Sequence, residues 1–184
     1  TLENFDKKLV IFGNEIHKYR KDFLEKLTPV FNNYYREISS NNEKVKLEYK
    51  SQLNDKLFSN MLDENMEKDR LSFNTSSGIH KDDIIFHMNG HNVKKVGSQG
   101  QQKSFLISLK LAQFDFITNK LGFKPILLLD DIFDKLDDKR VEKLISFTSN
   151  GTFSQIFITD THEDRSKNIL NKTGIDFKIF KIQN

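Results

Sequence analysis

The sequence predicts an α/β lobe that follows a mainly helical segment. In the second half of the chain, apolar strand-like runs alternate with stretches of helical spacing, which is typical of a parallel sheet with right-handed crossovers. At the start of the chain, apolar residues recur at alternating steps of three and four, as along one face of a long helix. We place a soft boundary between residues 74 and 75, so that residues 1–74 form a helical arm-like domain and residues 75–184 form the α/β lobe.

The predicted first helix carries a seven-residue repeat of apolar side chains. The repeat comprises Leu2, Phe5, Leu9, Phe12, Ile16, Tyr19 and Phe23. The spacing stutters beside Pro29, where we expect a kink or a break because proline lacks the backbone N–H and clashes with the preceding turn. Residues 39–42 indicate a turn. We expect the apolar stripe to be a buried packing seam rather than a partner-binding face.

The middle of the chain predicts two strands, a helix and a hairpin. Residues 45–49 alternate between apolar and polar side chains, as a half-buried strand does, and helical spacing returns over 54–68. A strand at 83–88 is followed by Asn89-Gly90, the strongest short hairpin signal, so that 91–96 should form the return strand.

The C-terminal half predicts the rest of the α/β lobe. A helix over 101–121 should end at Gly122 as its C-cap. Residues 125–129 are apolar on both faces, which favours a buried parallel strand. Further helices are predicted at 139–149 and 165–170, and further strands at 155–159 and 177–182.

Composition excludes several kinds of site. The chain has 184 residues and no cysteine, so it has no disulfide and no thiolate metal site. The net charge is only +3, so nucleic-acid binding would need local clusters of basic residues. No apolar run approaches the ~20 residues of a membrane-spanning helix. The chain begins inside a helical pattern without an initiator Met or a signal peptide, and we expect it to be a piece of a longer protein.

A loop rich in Ser, Gln and Gly opens the longest helix of the second half. It runs from Gly97 to Lys103, and a helix start binds anions through its free N–H groups and its dipole. Ser98 offers a hydroxyl, Gly100 lets the backbone approach an oxygen, and Gln101 offers an amide. Read alone, the same residues fit an N-capped flexible turn.

An apolar strand at 126–129 ends in two carboxylates, Asp130 and Asp131. Ligands of open α/β sheets collect beyond the carboxyl ends of the strands. Neighbouring strand side chains point to opposite faces, so one carboxylate can reach Mg²⁺ while the other addresses a water. Two alternatives remain: the pair ends a strand and caps a turn, or one of them is a phosphoacceptor as in receiver domains, which have other strand spacing.

In this order, the motifs resemble those of the RecF family of ATP-dependent DNA repair proteins, within the ABC/SMC class of ATPases. The similar segments are Gly78–Asp83 (G-x-H-[RK]-D-D), Ser98–Lys103 (the signature motif), Ile126–Asp131 (the Walker B strand), Asp134–Asp137 (the D-loop) and Phe157–His162 (the switch segment). The helical first part resembles the family's arm. The resemblance implies an α/β fold, the C-terminal lobe of an ABC-type (P-loop) ATPase head, with an α-helical arm-like second domain.

The resemblance also implies roles for the strand-end residues. Asp130 would hold Mg²⁺ through water. Asp131 would occupy the position of the catalytic carboxylate that polarises the attacking water; most ABC proteins have Glu there, so hydrolysis would be slow. His162 would sense the γ-phosphate, or it is a plain surface histidine. His80, Lys81 and Asp82 have no role that we can derive beyond structural support.

For the loop residues, the resemblance implies contacts across a dimer. Ser98, Gly100 and Gln101 would contact the nucleotide of the opposite subunit, and Asp137 would link the two sites. No GxxxxGK[ST] phosphate loop occurs in the chain, so we expect the chain alone neither to bind ATP tightly nor to hydrolyse it.

The implied cofactors and partners belong to the full-length protein. They are ATP and Mg²⁺, a second copy in an ATP-dependent homodimer, DNA at gaps or single-strand/double-strand junctions, and recombination mediator proteins, in a cytoplasmic, nucleoid-associated setting linked to the SOS response. Two other interpretations stay open, a structural SMC-like protein with a coiled-coil tether and a non-hydrolytic interaction module. Basic residues that could contact phosphates, or simply form a solvated face, are Lys18, Arg20, Lys21, Lys94, Lys95, Lys139 and Arg140.

Overall fold

The computed structural model describes residues 2–39, 43–131, 136–149, 151, 153–174 and 176–182. The helices are α1 (Leu2–Ser39), α2 (Phe58–Ser72), α3 (Val93–Val96), α4 (Gln99–Leu121), α5 (Asp138–Ser149) and α6 (Glu163–Thr173). The strands are β1 (Val45–Lys50), β2 (Asp83–Met88), β3 (His91–Asn92), β4 (Ile126–Leu129) and β5 (Gln155–Ile158). The first three strands form an antiparallel sheet and the last two a parallel pair. No helix in these ranges is long and apolar enough to cross a membrane.

Helix α1 runs unbroken through Pro29, so the predicted break is wrong. Proline removes one backbone hydrogen bond from the helix. Side chains around it keep the helix in place, because Leu27, Phe31 and Tyr35 are only 3%, 0% and 0% exposed. Burial of each of these side chains contributes ~1.5–3 kcal/mol, which together outweighs the cost of one proline.

The apolar stripe of α1 is buried only in its C-terminal half. Phe5, Phe12 and Tyr19 are 66%, 58% and 70% exposed. The expectation of a buried seam is therefore wrong for the first half of the helix, within the part of the chain that the structure describes. Residues 40–42 of the predicted turn lie outside the described residues.

The predicted strands near residues 45–49 and 83–88 are both found, and they pair with each other in the antiparallel sheet. β1 pairs with β2 from Val45 opposite Met88 to Lys50 opposite Asp83. Asn89 and Gly90 both have positive φ, 51° and 81°, as a two-residue hairpin turn requires.

The predicted return strand is wrong beyond Asn92, because a helical turn replaces it. The Asn92 side chain accepts the N–H of Lys94 at 2.9 Å and so starts α3. Gly97 closes α3 by donating its N–H to the carbonyl of Val93 at 2.9 Å.

One apolar core joins α1, the antiparallel sheet and α4. The ring of Phe105 lies 4.6 Å from that of Phe31 and 5.2 Å from that of Phe86, measured between centroids. The Tyr34 hydroxyl donates to Asp115 at 2.7 Å, and burial, with a contribution from Asp115, raises the pKa of Tyr34. This core contains residues from both sides of the predicted boundary between residues 74 and 75, and the boundary itself stays a prediction.

A second core lies under the parallel pair. β4 and β5 run side by side with α5 between them in the chain, as the alternating pattern predicts. Leu127 and Leu129 are buried, whereas Ile126 and Leu128 are 57% and 68% exposed. Within the described residues, β4 is thus buried on one face rather than on both.

The predicted last strand is wrong. Residues 176–182 lie within the described part of the chain and form no strand. Phe180 and Ile182 are exposed. Among the described residues, no strand pairs with this segment, so the alternation of apolar and polar residues does not produce a strand.

Helix α2 is attached to α1 through the buried ring of Phe58. A Cβ atom added at Gly13 of α1 would lie 2.5 Å from this ring, and one added at Gly78 would lie 2.7 Å from it. Gly78 also has a φ of 125°, which other residues rarely adopt. Two glycines therefore leave the space that the Phe58 ring fills.

We expect Gly13→Ala to lower the free energy of unfolding by about 1–2 kcal/mol. An added Cβ atom 2.5 Å from the ring puts the overpacking cost in the upper part of its usual range, at about 2–3 kcal/mol, and the better helix propensity of Ala returns ~1 kcal/mol. Urea denaturation of the full-length protein measures the change. Combining Gly13→Ala with Phe58→Leu should recover part of the loss, and a Gly13→Ala variant as stable as its parent would refute this contact.

Candidate functional site

The signature-like loop is folded as the N-cap of α4. Ser98 Oγ accepts the N–H of Gln101 at 3.2 Å, and the Ser98 N–H donates to Gln101 Oε1 at 2.8 Å, which is a capping box. Gln101 Nε2 donates to Glu43 Oε1 at 2.9 Å. Ser98 is exposed and keeps its O–H as a donor, whereas the Gln101 amide is engaged at both ends. A ligand could reach Ser98 directly but would have to replace a partner of Gln101.

Glu43 connects this cap to α1. Its second carboxylate oxygen accepts the Tyr35 hydroxyl at 3.3 Å. Burial raises the pKa of Tyr35, and the neighbouring Glu43 charge raises it further, so the phenol remains a hydrogen-bond donor.

Gly100 and Asp137 are joined through two further side chains. The Ser104 hydroxyl donates to the Gly100 carbonyl at 2.9 Å, and Arg140 Nη1 donates to the same hydroxyl at 3.4 Å. Arg140 Nε lies 3.3 Å from Asp137 Oδ2. Asp137 Oδ1 also accepts the backbone N–H of Arg140 at 3.0 Å and so supports the start of α5.

Asp137 is therefore connected to α4 through Arg140, with which it forms an ion pair. Asp134 and Lys135, the other charged residues of the predicted D-loop, lie outside the described residues. Asp138 pairs with Arg165 at 3.0 Å.

Asp130 and Asp131 are oriented by Thr159, which follows β5. The Thr159 hydroxyl donates to Asp130 Oδ1. The Asp131 N–H contacts both the carbonyl oxygen and Oγ1 of Thr159 at 3.1 Å. Asp131 has a φ of 50°, in the left-handed region that Asp tolerates better than most residues. One threonine thus holds the sharp turn after β4 and positions one of the two carboxylates.

Lys103 joins the two motifs. Its Nζ donates to the backbone oxygen of Asp131 and lies 3.9 Å from Asp131 Oδ2. The Lys103 side chain is only 19% exposed. The first turns of α4 and the carboxyl end of β4 are therefore in contact.

His162 is placed apart from these contacts. It is exposed and precedes α6, where its carbonyl accepts the N–H of Ser166 at 3.2 Å. Among the described residues, His162 makes no hydrogen bond or ion pair with Asp130 or Asp131. Its role as a phosphate sensor stays a prediction, as do the ligand roles of Ser98, Gly100, Gln101, Asp130, Asp131 and Asp137.

The acidic strand end suits a hard divalent cation that brings most of its own ligands. Within the described residues, no group of three or more His, Cys, Asp or Glu could hold a metal. Mg²⁺ usually takes one or two carboxylates and completes its shell with waters and phosphates. The Asp130 carboxylate is exposed and accepts a hydrogen bond from the Thr159 hydroxyl, which fits that mode of binding.

The sequence did not predict the roles of Thr159 or Glu43. Thr159 could have been found, because the carboxyl ends of adjacent parallel strands meet at one sheet edge. The contact of Glu43 with Gln101 spans 58 residues and has no local signal.

The comparisons with known proteins agree on one family. No family model matches the chain. The DNA replication and repair protein RecF of Flavobacterium johnsoniae is 50% identical over 182 residues, which cover 99% of this chain and 51% of that protein. RecF of Parabacteroides distasonis is 44% identical over 181 residues, covering 98% and 50%. The chain thus spans about half the length of the curated relatives it matches.

A solved structure has the same fold. The structure of the recombination mediator protein RecF-ATP in the RecFOR pathway has a TM-score of 0.75 and 31% identity, and the match covers 89% of this chain and 47% of that one. The mixed α/β arrangement is that of an ABC/SMC-type ATPase head. The chain belongs to the RecF family and corresponds to the C-terminal part of its members.

Thr159→Val should lower the free energy of unfolding by about 1–3 kcal/mol, because it leaves Asp130 Oδ1 and part of the turn without the hydroxyl. Thr159→Ser keeps that hydroxyl and should stay within about 0.5 kcal/mol of the parent, because the methyl group it loses belongs to an exposed residue. Chemical denaturation of the full-length protein compares the two. Equal losses for Val and Ser would show that the hydroxyl does not stabilise the strand end.

Proposed function

We propose that, in the full-length protein, this chain supplies one half of an ATP-dependent DNA-binding protein that acts in DNA repair. The observation that carries the proposal is the contact of Lys103 with Asp131, which brings the start of α4 to the carboxyl end of β4. Family membership supports it, since the relatives are named for DNA replication and repair and a structural neighbour for its complex with ATP.

Asp131 is the proposed catalytic carboxylate. Its side chain is half exposed, and its backbone is fixed by Thr159 and Lys103. A fixed carboxylate can accept a hydrogen bond from a water and orient it for attack on a phosphate. Because Asp is shorter than Glu, the water would sit less close, and slow hydrolysis would suit a switch that reports nucleotide state.

Asp130 is the proposed partner of Mg²⁺. When bound, the ion would neutralise charge on the phosphate oxygens. Thr159 would keep Oδ1 oriented, leaving the second carboxylate oxygen to accept hydrogen bonds from the waters around the ion.

The loop before α4 is proposed to act on the nucleotide of a second copy. Ser98 would donate its hydroxyl to a phosphate, and the Gly100 backbone allows close approach. Gln101 would exchange Glu43 for the nucleotide, and Asp137 would contact the partner across the dimer. ATP would then hold two copies together, and its hydrolysis would release them.

The remaining parts of the proposal concern partners. The dimer would bind DNA at gaps or junctions, cooperate with recombination mediator proteins and help to load recombinase, in the cytoplasm beside the nucleoid. Exposed basic residues, among them Lys18 and Lys139, are available for phosphate contacts. Such contacts would make the affinity for DNA fall steeply with salt.

Asp131→Asn in the full-length protein should lower the ATP hydrolysis rate by about 100-fold or more, because the water loses its acceptor carboxylate. ATP binding and ATP-dependent DNA binding should persist. Single-turnover hydrolysis and equilibrium binding measure the two separately. Unchanged hydrolysis would refute the assignment, and unchanged repair in cells despite lost hydrolysis would favour the interaction-module interpretation.

Mixing two inactive variants tests the shared site. Asp131→Asn should lower hydrolysis by about 100-fold or more and Ser98→Arg should abolish it, but an equal mixture should regain about a quarter of the parental rate. About half of the dimers would be mixed, and one of the two sites in each would be intact. A mixture as inactive as its components, in a sample whose mixed dimers are verified with two affinity tags, would show that Ser98 does not act in trans.

A further inference from the structure

A groove of about 620 Å³ lies between α1 and the antiparallel sheet, separate from the strand-end carboxylates. Ligand sites usually have volumes of ~300–1,000 Å³ and apolar walls with a few polar groups. The walls here include three aromatic side chains, Phe23 from α1, Tyr49 from β1 and Phe86 from β2. The groove therefore has the size and lining of a small-molecule site.

A buried carboxylate lies in this groove with one oxygen unused. The Asp82 side chain is 4% exposed. Its Oδ2 accepts hydrogen bonds from Arg20 Nη1, at 2.7 Å, and from the Tyr49 hydroxyl. Its Oδ1 is buried and has no hydrogen-bond partner among the described residues. A buried acceptor left without a donor is costly, so the arrangement calls for a donor from an occupant of the groove.

The two donors near Asp82 are committed elsewhere. Arg20 Nη1 also donates to the carbonyl of Ile79 at 2.7 Å. Burial raises the pKa of Tyr49 and Asp82 raises it further, so the phenol stays protonated and bonded to Oδ2. Neither group donates a hydrogen bond to Oδ1. This oxygen of Asp82 therefore remains available as an acceptor for an occupant of the groove.

The charges around the groove favour a neutral donor attached to an anion. Arg20 and Lys94 line it together with the carboxylates of Asp82 and Asp83. Arg20 already forms an ion pair with Asp82, so a neutral amino group can donate to Oδ1 without placing a further positive charge beside Arg20. A phosphate attached to that group would be attracted to the exposed Lys94.

We propose that the groove binds an unpaired nucleobase whose exocyclic amino group donates to Asp82 Oδ1. The base would stack on the aromatic walls, which are sequence-tolerant platforms for bases, and its phosphate would lie at Lys94. Single-stranded DNA and a free nucleotide present the same chemistry. The proposal rests on the proposed DNA-binding function only for the source of the base.

The test compares two bases that differ by one amino group. Full-length protein is titrated with a fluorescent single-stranded oligonucleotide containing adenine, and with the same oligonucleotide containing unsubstituted purine in place of adenine. Adenine should bind about tenfold more tightly, since a hydrogen bond to a charged group is lost with purine. Equal affinities would overturn the proposal and leave Asp82 as a tie between α1 and the sheet.

Two neighbouring lysines provide a matched pair of variants. Lys94→Gln should weaken binding of the adenine oligonucleotide severalfold and reduce the salt dependence by about 0.7 in log–log slope, the value for one phosphate contact of a single strand. Lys95→Gln, which changes an exposed residue of the same helical turn outside the groove lining, should bind like the parent. Indistinguishable effects of the two would also overturn the proposal.

Asp82→Asn should abolish the preference for adenine over purine. Thermal unfolding shows whether this variant folds. If it does not fold, the comparison of adenine with purine and the two lysine variants still test the proposal. Competition by adenosine monophosphate would identify a free nucleotide as a sufficient ligand, and its absence alongside a retained preference would identify single-stranded DNA. If the protein prefers adenine but does not bind DNA in an ATP-dependent way, only the proposed function is refuted. If it binds DNA in an ATP-dependent way but shows no preference for adenine, only the proposed base site in the groove is refuted.

Discussion

The burial of α4 between two apolar cores determines the position of nearly every residue discussed above. Phe105 and Ala112 face the core shared with α1 and the antiparallel sheet, whereas Ile107, Leu111 and Phe114 face the core under the parallel pair. A helix covered on two sides cannot rotate or slide without exposing one of them. The N-terminal cap of α4 and Lys103, which reaches the end of β4, therefore keep fixed positions relative to both sheets.

Most elements with strong local signals could be predicted from the sequence. The hairpin at Asn89-Gly90, the long helix ending at Gly122 and the parallel pair were all predicted and found. Their signals are turn chemistry and periodicity, which act within a few residues. Pro29 gave an equally local signal, but burial of the neighbouring side chains overrode it.

Apolar spacing failed where it was used to predict burial. It shows which residues share a face, but not whether another element covers that face. Phe12 and Leu128 are both exposed although each lies in a well-patterned element. The C-terminal run that ends at Ile182 failed for the same reason, since a strand needs a neighbour as well as alternation. The same limit applies to the candidate site. Local motifs are enough to single out Ser98 and Asp130, but the contact of Gln101 with Glu43 joins residues far apart in the chain and has no local signal.

Gly97 restricts which residues can join α3 to α4. Its N–H is bonded to the Val93 carbonyl, and a Cβ atom there would lie only 2.8 Å from that same oxygen. A side chain at this position would have to push the Val93 carbonyl away and so weaken the hydrogen bond that closes α3. The backbone that leads directly into the Ser98 cap would shift with it, so the geometry of the cap depends on the smallest residue in the chain.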